Sequence, residues 1–189
     1  MVTPVALVVT GTPGVGKSTV CRAIAQRLPI AAHVEADTLH RFLVSGGQWP
    51  SAGTAAAMGQ LVLRTCNAAT VAANFVSAGI PVVLDEVLST PRQVAVLAEL
   101  LPGGRIVALT ATEDVVLARD AMRSKHTAAN YRGVASEIAD AVGAAATWID
   151  TTGLTAEETI AAVLRAAGGW ALPAAAGRQA PANRSRGRG

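Results

Sequence analysis

The sequence predicts an α/β fold: a single domain in which a five-stranded parallel sheet is sandwiched by helices. Short apolar runs rich in β-branched residues alternate along the chain with longer stretches whose apolar residues recur at helical spacing. The short runs are apolar almost throughout, which is typical of strands that are buried on both faces of a parallel sheet. The chain has 189 residues, enough for one such domain with a sizeable core.

Each expected strand is followed by one or two helices. Strands are predicted at Val5–Thr10, Ala31–Ala36, Ile80–Leu84, Arg105–Thr110 and Thr147–Asp150. Helices are predicted at Lys17–Leu28, Thr38–Val44, Thr54–Ser77, Pro91–Leu101, Glu113–Met122, Gly133–Val142 and Thr155–Ala167. Gly79 is expected to end the long third helix, and Thr155 with Glu158 is expected to form a capping box at the start of the last one. Residues 45–53 are predicted to form a loop.

A glycine-rich segment between the first strand and the first helix carries the strongest functional signal. It fits the pattern G-x-x-x-x-G-K-[ST] with Gly11, Thr12, Pro13, Gly14, Val15, Gly16, Lys17, Ser18 and Thr19. Between a strand and a helix, such a loop points successive backbone N–H groups at phosphate oxygens. Lys17 is predicted to reach the β- and γ-phosphates of ATP, and Ser18 to bind Mg²⁺. The flanking elements favour this P-loop NTPase interpretation over a purely structural glycine turn.

An acidic pair after the third strand offers a metal ligand. In open α/β sheets, ligands bind at the carboxyl ends of the strands, and Asp85 follows the apolar run Val82–Leu84 directly. Asp85 is predicted to hold Mg²⁺, through water, beside the Ser18 hydroxyl. The neighbouring Glu86 is the alternative ligand, and a capping acid without a metal is the structural alternative.

A second acid, Asp37, is predicted at the end of the second strand, facing the same crevice. A hydroxyl that attacks a γ-phosphoryl group needs a carboxylate to orient it and to take its proton. Asp37 is therefore the predicted catalytic base, although it could also be the N-cap of the next helix. Glu35, two residues earlier, faces the same side if the strand is regular, and is expected to contact the substrate.

The segment that follows Asp37 contains three candidate residues for the acceptor pocket. His40 and Arg41 either line that pocket or lie on a solvated face, and Trp49 either covers a flat substrate or packs against the protein. His33 has no nearby ligand partners in the sequence, so no metal role is expected for it. Cys21 is expected to be a small core residue, and the two cysteines form no disulfide framework.

Basic residues cluster in and after the helix that follows the fourth strand. Arg123 and then Arg119 are the leading candidates for a cationic lid that neutralises transition-state charge; Lys125 and Arg132 lie in the same polar segment. A solvated basic face is the alternative interpretation.

Charge and composition divide the chain into one domain, 1–170, and a basic tail, 171–189. The tail holds four arginines and no acid, so without it the net charge of +3 becomes slightly negative. A nearly neutral body argues against a nucleic-acid-binding face. The tail composition predicts disorder, with contact to an anionic partner as the alternative to no role. No apolar run is long enough for a membrane span and no basic leader precedes the first strand, so a cytoplasmic location is expected.

These motifs together resemble the small P-loop kinases that phosphorylate hydroxyl groups, including shikimate, gluconate and adenylate kinases. The chloramphenicol phosphotransferase type of antibiotic kinase is the most similar. The resemblance covers Val5 to Ala167 and rests on GTPGVGKST, VEADTLHR, VVLDEV, the basic lid and WIDTTGLTAEET. It implies ATP and Mg²⁺ as cofactors, Asp37 as base, Arg119 and Arg123 as lid residues, and Thr151 and Thr152 near the adenine.

Departures from the metabolic kinases shape the expected acceptor. Glu35-Ala36-Asp37 replaces the D-x-D of shikimate kinases, their Gly-Gly-Gly motif is absent, and the long adenylate kinase lid is missing. The resemblance therefore implies a phosphotransferase for a small-molecule hydroxyl, acting as monomer or homodimer. Chloramphenicol-like drugs or nucleoside antibiotics of the capuramycin kind are the leading acceptors. A metabolic kinase, a nucleotide switch without the usual guanine motif, and a small ATPase are the alternatives.

Overall fold

The computed structural model describes residues 6–121 and 133–168 and confirms the α/β fold. Its strands are β1 Ala6–Gly11, β2 Ala32–Glu35, β3 Val82–Asp85, β4 Arg105–Thr110 and β5 Ala146–Asp150. They lie in the order β2-β3-β1-β4-β5, and every neighbouring pair is parallel. The described helices are α1 Lys17–Gln26, α2 Ala36–His40, α3 Ala55–Ser77, α4 Pro91–Leu100, α5 Glu113–Ala121, α6 Val134–Val142 and α7 Ala156–Ala166.

Helices cover both faces of the sheet, with β1 at its centre. All six residues of β1 are buried, as the unbroken apolar run predicts. On one face, β1 and β3 pack against α3, α4 and α6, and on the other they pack against α1 and α7. Because the strands are parallel, the carboxyl ends of β2, β3 and β1 share one edge. No helix in the described ranges is long and apolar enough to cross a membrane.

The largest difference from the expected elements lies after β2. The strand was expected to run through Ala36, but its pairing with β3 ends at Glu35 opposite Asp85, and α2 begins at Ala36. The prediction that Asp37 ends a strand is therefore wrong, since Asp37 lies in the first turn of α2. The helix also ends at His40 rather than Val44. Residues 42–44 are exposed, so they lack the buried face that stabilises most helices.

The remaining boundaries differ by one or two residues. β3 starts at Val82 and includes Asp85, and β5 starts at Ala146. The capping box of Thr155 and Glu158 is present, and Gly79 follows the end of α3 with a φ of 78°. Residues 122–132 and 169–189, which include Arg123, Lys125, Arg132 and the basic tail, lie outside the described residues.

Gly11, at the end of β1, allows the chain to leave the sheet close to β4. Its φ is 144°, a conformation that side-chain-bearing residues rarely adopt. A Cβ at this position would fall inside contact distance of the Leu109 carbonyl oxygen on β4. The path of the loop after β1 therefore requires glycine here.

The substitution Gly11→Ala is expected to lower the free energy of unfolding by about 2–4 kcal/mol, the sum of backbone strain and a clash against main chain. Gly59→Ala is the matched control, because Gly59 lies in α3 with open space around it. That change should raise stability by about 0.5–1 kcal/mol. Urea unfolding measures both, and an unchanged midpoint for Gly11→Ala would contradict the close approach.

Candidate active site

The loop between β1 and α1 is folded as an anion-binding cradle. Gly14 and Gly16 take φ values of 89° and 110°, and Gly16 directly precedes α1. The backbone N–H of Val15 and the Lys17 ammonium both donate to the Thr12 carbonyl, each at 3.2 Å. The first N–H groups of α1 have no intrahelical partner, and they add a positive dipole end to the loop. The loop therefore has the form that phosphate binding requires.

Ser18 and Asp85 meet at the floor of this loop. The Ser18 hydroxyl donates a hydrogen bond to Asp85 Oδ2, and the parallel pairing of Val9 with Asp85 brings the two elements together. Burial raises the pKa of Asp85, and the nearby Lys17 ammonium opposes that shift. A hydroxyl and a carboxylate are hard oxygen ligands of the kind that Mg²⁺ takes, so these two residues fit the predicted metal role.

Glu86, the alternative metal ligand, has other partners. It is buried and accepts hydrogen bonds from Arg64 Nη2 at 2.5 Å, from the Thr65 hydroxyl at 3.3 Å and from the Val87 N–H at 3.0 Å. Burial raises its pKa to about 7, although the Arg64 guanidinium lowers it. Of the two acids, Asp85 is thus the one that contacts Ser18.

Arg64 is a site residue that the sequence reasoning missed. Its side chain is buried, and it joins Glu86 to Asp37, whose Oδ1 accepts from Arg64 Nη1 at 3.0 Å. A signal was present, because Arg64 shares helical spacing with Leu61 and Ala68 on the buried face of α3. A buried arginine needs carboxylate partners, so this spacing alone predicts an acidic neighbour.

Asp37 lies on the same edge of the sheet as the loop. More than half of its side chain, 55%, is exposed, and its charge raises the pKa of both Asp85 and Glu86, which places it near them. The alternative of an N-cap is wrong, because Glu35 occupies that position and makes no side-chain capping bond. The catalytic role of Asp37 stays a prediction.

Glu35 and Asp37 are held by different partners. The Glu35 carboxylate accepts from Arg22 at 3.2 Å and from the Thr38 hydroxyl at 3.3 Å, whereas Asp37 is bound by Arg64. The expectation that both face one side required a regular strand, and the turn into α2 at Ala36 removes that regularity. Glu35 therefore has its own ion pair, and its contact with substrate stays a prediction.

The residues predicted for the acceptor pocket differ in exposure: His40 and the half-buried Trp49 pack together, and Arg41 is apart from them. His40 is buried, and its ring lies 4.4 Å from the Trp49 ring between centroids. Burial lowers the pKa of His40, and its Nε2 atom has no hydrogen-bond partner. Arg41 is exposed. Gln60 of α3 fixes the loop around Trp49 by accepting from the Gln48 N–H at 2.6 Å and donating to the Gly46 carbonyl at 2.9 Å.

Arg119 ties the phosphate loop to the loop after β5. Its guanidinium donates to the Val15 carbonyl at 3.2 Å, to the Thr151 hydroxyl and carbonyl at 2.9 and 2.7 Å, and to the Leu154 carbonyl at 3.3 Å. The Thr151 hydroxyl donates in turn to the Thr110 carbonyl, and that of Thr152 donates to Asp150. Both threonine hydroxyls are therefore engaged within the protein, and their position near the adenine stays a prediction.

Comparison with known proteins agrees with this geometry. A family model described as an AAA domain matches residues 7–146. The search of curated proteins found no significant match.

Several solved structures share the fold, two of them kinases by name. A gluconokinase from Sinorhizobium meliloti 1021 is 22% identical, with 88% of this chain and 93% of that chain covered and a TM-score of 0.58. The tunicamycin resistance protein of Deinococcus radiodurans is 17% identical over 86% of this chain and 94% of its own, with a TM-score of 0.64. A shikimate kinase from Bacteroides thetaiotaomicron is 18% identical, with 85% of this chain and 97% of that chain covered and a TM-score of 0.59. The chain thus has the fold of the small-molecule P-loop kinases.

Removal of the Arg64 charge should destabilise the protein strongly. Arg64→Met leaves Glu86 buried without its cation, and loss of one partner of a buried pair costs about 3–5 kcal/mol. The double variant Arg64→Met, Glu86→Gln leaves no buried charge at this pair. Its loss of unfolding free energy should be clearly smaller than that of Arg64→Met alone. Urea unfolding of wild type, both singles and the double measures the coupling, and equal losses in Arg64→Met and the double would contradict it.

The loss of stability caused by Arg64→Met should also depend on pH. The folded-state pKa of Glu86 is already raised to about 7, and the loss of Arg64 removes a group that lowers it. The folded state then binds the proton more tightly than the unfolded chain does, so stability falls as pH rises between the two pKa values. The difference from wild type should therefore be smaller near about pH 5 than near about pH 8.

Proposed function

The chain belongs to the AAA domain family, and we propose that it is an ATP-dependent phosphotransferase that moves the γ-phosphate to a hydroxyl group of a small molecule. The observation that carries the proposal is one edge of the sheet, where the phosphate loop, the Ser18–Asp85 contact and the exposed Asp37 carboxylate lie together. An exposed carboxylate held beside the loop by a buried arginine suits a group that orients a nucleophile and takes its proton, and the acceptor experiment below decides between a substrate hydroxyl and water.

Each part has a chemical role in the proposed reaction. The loop N–H groups and Lys17 bind the β- and γ-phosphates, and Ser18 and Asp85 hold Mg²⁺, which neutralises phosphate charge. Asp37 orients the acceptor hydroxyl and takes its proton. The new bond joins the acceptor oxygen to the γ-phosphorus while the bond to the β–γ bridging oxygen breaks, and ADP leaves. Arg64 fixes the Asp37 carboxylate through the 3.0 Å hydrogen bond.

Two arginines are proposed to stabilise the transferred group. Arg119 holds the phosphate loop and the loop at 151–154 in one arrangement, so that the γ-phosphate meets a fixed set of N–H donors. Arg123 is proposed as the lid residue that neutralises charge on the equatorial oxygens. We also propose that the protein works in the cytoplasm, where ATP is available, as a monomer or homodimer.

We propose an antibiotic as the acceptor. Arg64 is already neutralised by Asp37 and Glu86, so it is poorly suited to bind the carboxylate of an acid such as shikimate or gluconate. Phe42 and Val44, which follow α2, are 72% and 95% exposed and favour an acceptor with an apolar face. The shared fold with a tunicamycin resistance protein is compatible with this choice. A metabolic acceptor is the alternative, and the folds of the gluconokinase and shikimate kinases support it equally.

An acceptor panel separates these possibilities. ATP consumption is followed with Mg²⁺ and chloramphenicol, nucleoside antibiotics, gluconate, shikimate or nucleoside monophosphates, and mass spectrometry detects an added phosphate. Phosphorylation of an antibiotic supports the proposal in full. Phosphorylation of a metabolic acid supports the proposed kinase activity and contradicts the proposal that the acceptor is an antibiotic. Hydrolysis of ATP at one rate with every acceptor would contradict the phosphotransferase itself.

Asp37→Asn should cut kcat by about 10²-fold or more, because the amide cannot take the hydroxyl proton. ATP affinity should change little, since Asp37 is not among the residues proposed to bind ATP or Mg²⁺. Asp140→Asn, an exposed acid on α6, is the matched control and should keep wild-type rates. Steady-state kinetics with an ATP-binding titration checks both, and full turnover in Asp37→Asn would remove Asp37 from the mechanism.

A further inference from the structure

Cys21, His33 and Asp85 converge beneath the phosphate loop from three elements. Cys21 lies in α1, His33 in β2 and Asp85 at the end of β3, and one ligand atom from each lies within 4.8 Å of the other two. Cys21 and Asp85 are buried. The sequence suggested no ligand partners for His33, because the three residues come together only through strand order and the packing of α1.

The state of His33 suits a metal ligand. Its side chain is 12% exposed, and its Nε2 atom is buried without a hydrogen-bond partner. Its other ring nitrogen, Nδ1, lies 3.9 Å from a Glu35 carboxylate oxygen. Histidines that bind metals usually direct the second ring nitrogen to a carboxylate or carbonyl, which orients the ring and strengthens the ligand. A buried nitrogen without a partner otherwise carries a cost, which a metal ion would remove.

We propose that Cys21 Sγ, His33 Nε2 and the Asp85 carboxylate form a binding site for one Zn²⁺-like divalent cation. A sulfur, nitrogen and oxygen set favours Zn²⁺ or Co²⁺ over Mg²⁺, which prefers oxygen ligands alone. On binding, the Cys21 thiol releases its proton to solvent and the sulfur joins the metal. Ligand atoms around tetrahedral zinc lie roughly 3.3–3.8 Å apart, so the three side chains approach by about 1 Å, and water takes the fourth position.

The same three residue types also occur in cysteine nucleophile systems, but the burial here opposes that role. Cys21 is fully buried on the inner face of α1, so no substrate carbonyl reaches its sulfur. A metal ion needs much less room, and the exposed Ser18 beside Asp85 marks an open side of the site.

Metal binding at this site does not depend on the proposed phosphotransferase activity. Where both hold, the site acts on catalysis, because Asp85 is also the proposed Mg²⁺ ligand and a cation held by Cys21 and His33 competes for the same carboxylate. Zn²⁺ should then inhibit phosphoryl transfer, and excess Mg²⁺ should not displace it from sulfur.

The test is a Co²⁺ titration of the full chain after treatment with a chelator, followed by absorption spectroscopy. One Co²⁺ per chain should bind with a thiolate-to-cobalt charge-transfer band, and Zn²⁺ should abolish that band. Cys66→Ser is the matched control, because Cys66 lies in α3 outside the cluster, and it should keep the band. Cys21→Ser should lose the band, and His33→Gln should weaken binding by at least about tenfold.

Three outcomes of this titration would contradict the proposed metal site. These are a wild type without the charge-transfer band, a band that persists in Cys21→Ser, or one that disappears in Cys66→Ser. Circular dichroism of each variant verifies folding, and if Cys21→Ser is misfolded, His33→Gln decides. A Co²⁺ affinity of His33→Gln equal to that of wild type would contradict the proposal even where activity is unaffected.

Discussion

The close approach of Gly11 to the β4 backbone is the constraint on which the rest of the site depends. It lets the central strand end directly against its neighbour and turn into a loop whose next glycines also take positive φ values. That turn sets Lys17 at the start of α1 and brings Ser18 over Asp85. A side chain at Gly11 would collide with the β4 backbone, so the path of the loop and the contact of Ser18 with Asp85 both rest on this close approach.

Buried charged groups lie between the loop and the exposed Asp37 carboxylate. Asp85 lies under Ser18, and Arg64 joins the buried Glu86 to the exposed Asp37. Burial raises the pKa of Asp85 and of Glu86, and the Asp37 charge raises both further, whereas Lys17 lowers the pKa of Asp85 and Arg64 lowers that of Glu86. The arrangement fixes a surface carboxylate with a buried cation, which is how a catalytic base is held in one geometry.

The sequence was sufficient for features that depend on local order. Five apolar runs, a glycine loop before a helix and an acid after a strand predicted the sheet, the cradle and Asp85. Arg64 was missed although helical spacing had placed it on the buried face of α3. The meeting of Cys21, His33 and Asp85 was beyond sequence reasoning, because β2 lies beside β3 only through the observed strand order and α1 packs across both. The predicted end of β2 was wrong because the strand ends where its pairing with β3 ends, at Glu35, and the strand propensity of the residues does not show that point.

The most direct test of phosphoryl transfer is the destination of the γ-phosphate. ATP labelled at the γ-phosphorus is incubated with the full chain, Mg²⁺ and one acceptor at a time, and the label is followed by separation of acceptor, ADP and inorganic phosphate. The proposed function predicts that label appears on one acceptor hydroxyl in equal amount to the ADP formed, and that Lys17→Ala abolishes the transfer. Label that appears only in inorganic phosphate, with every antibiotic and metabolic acceptor, would contradict it.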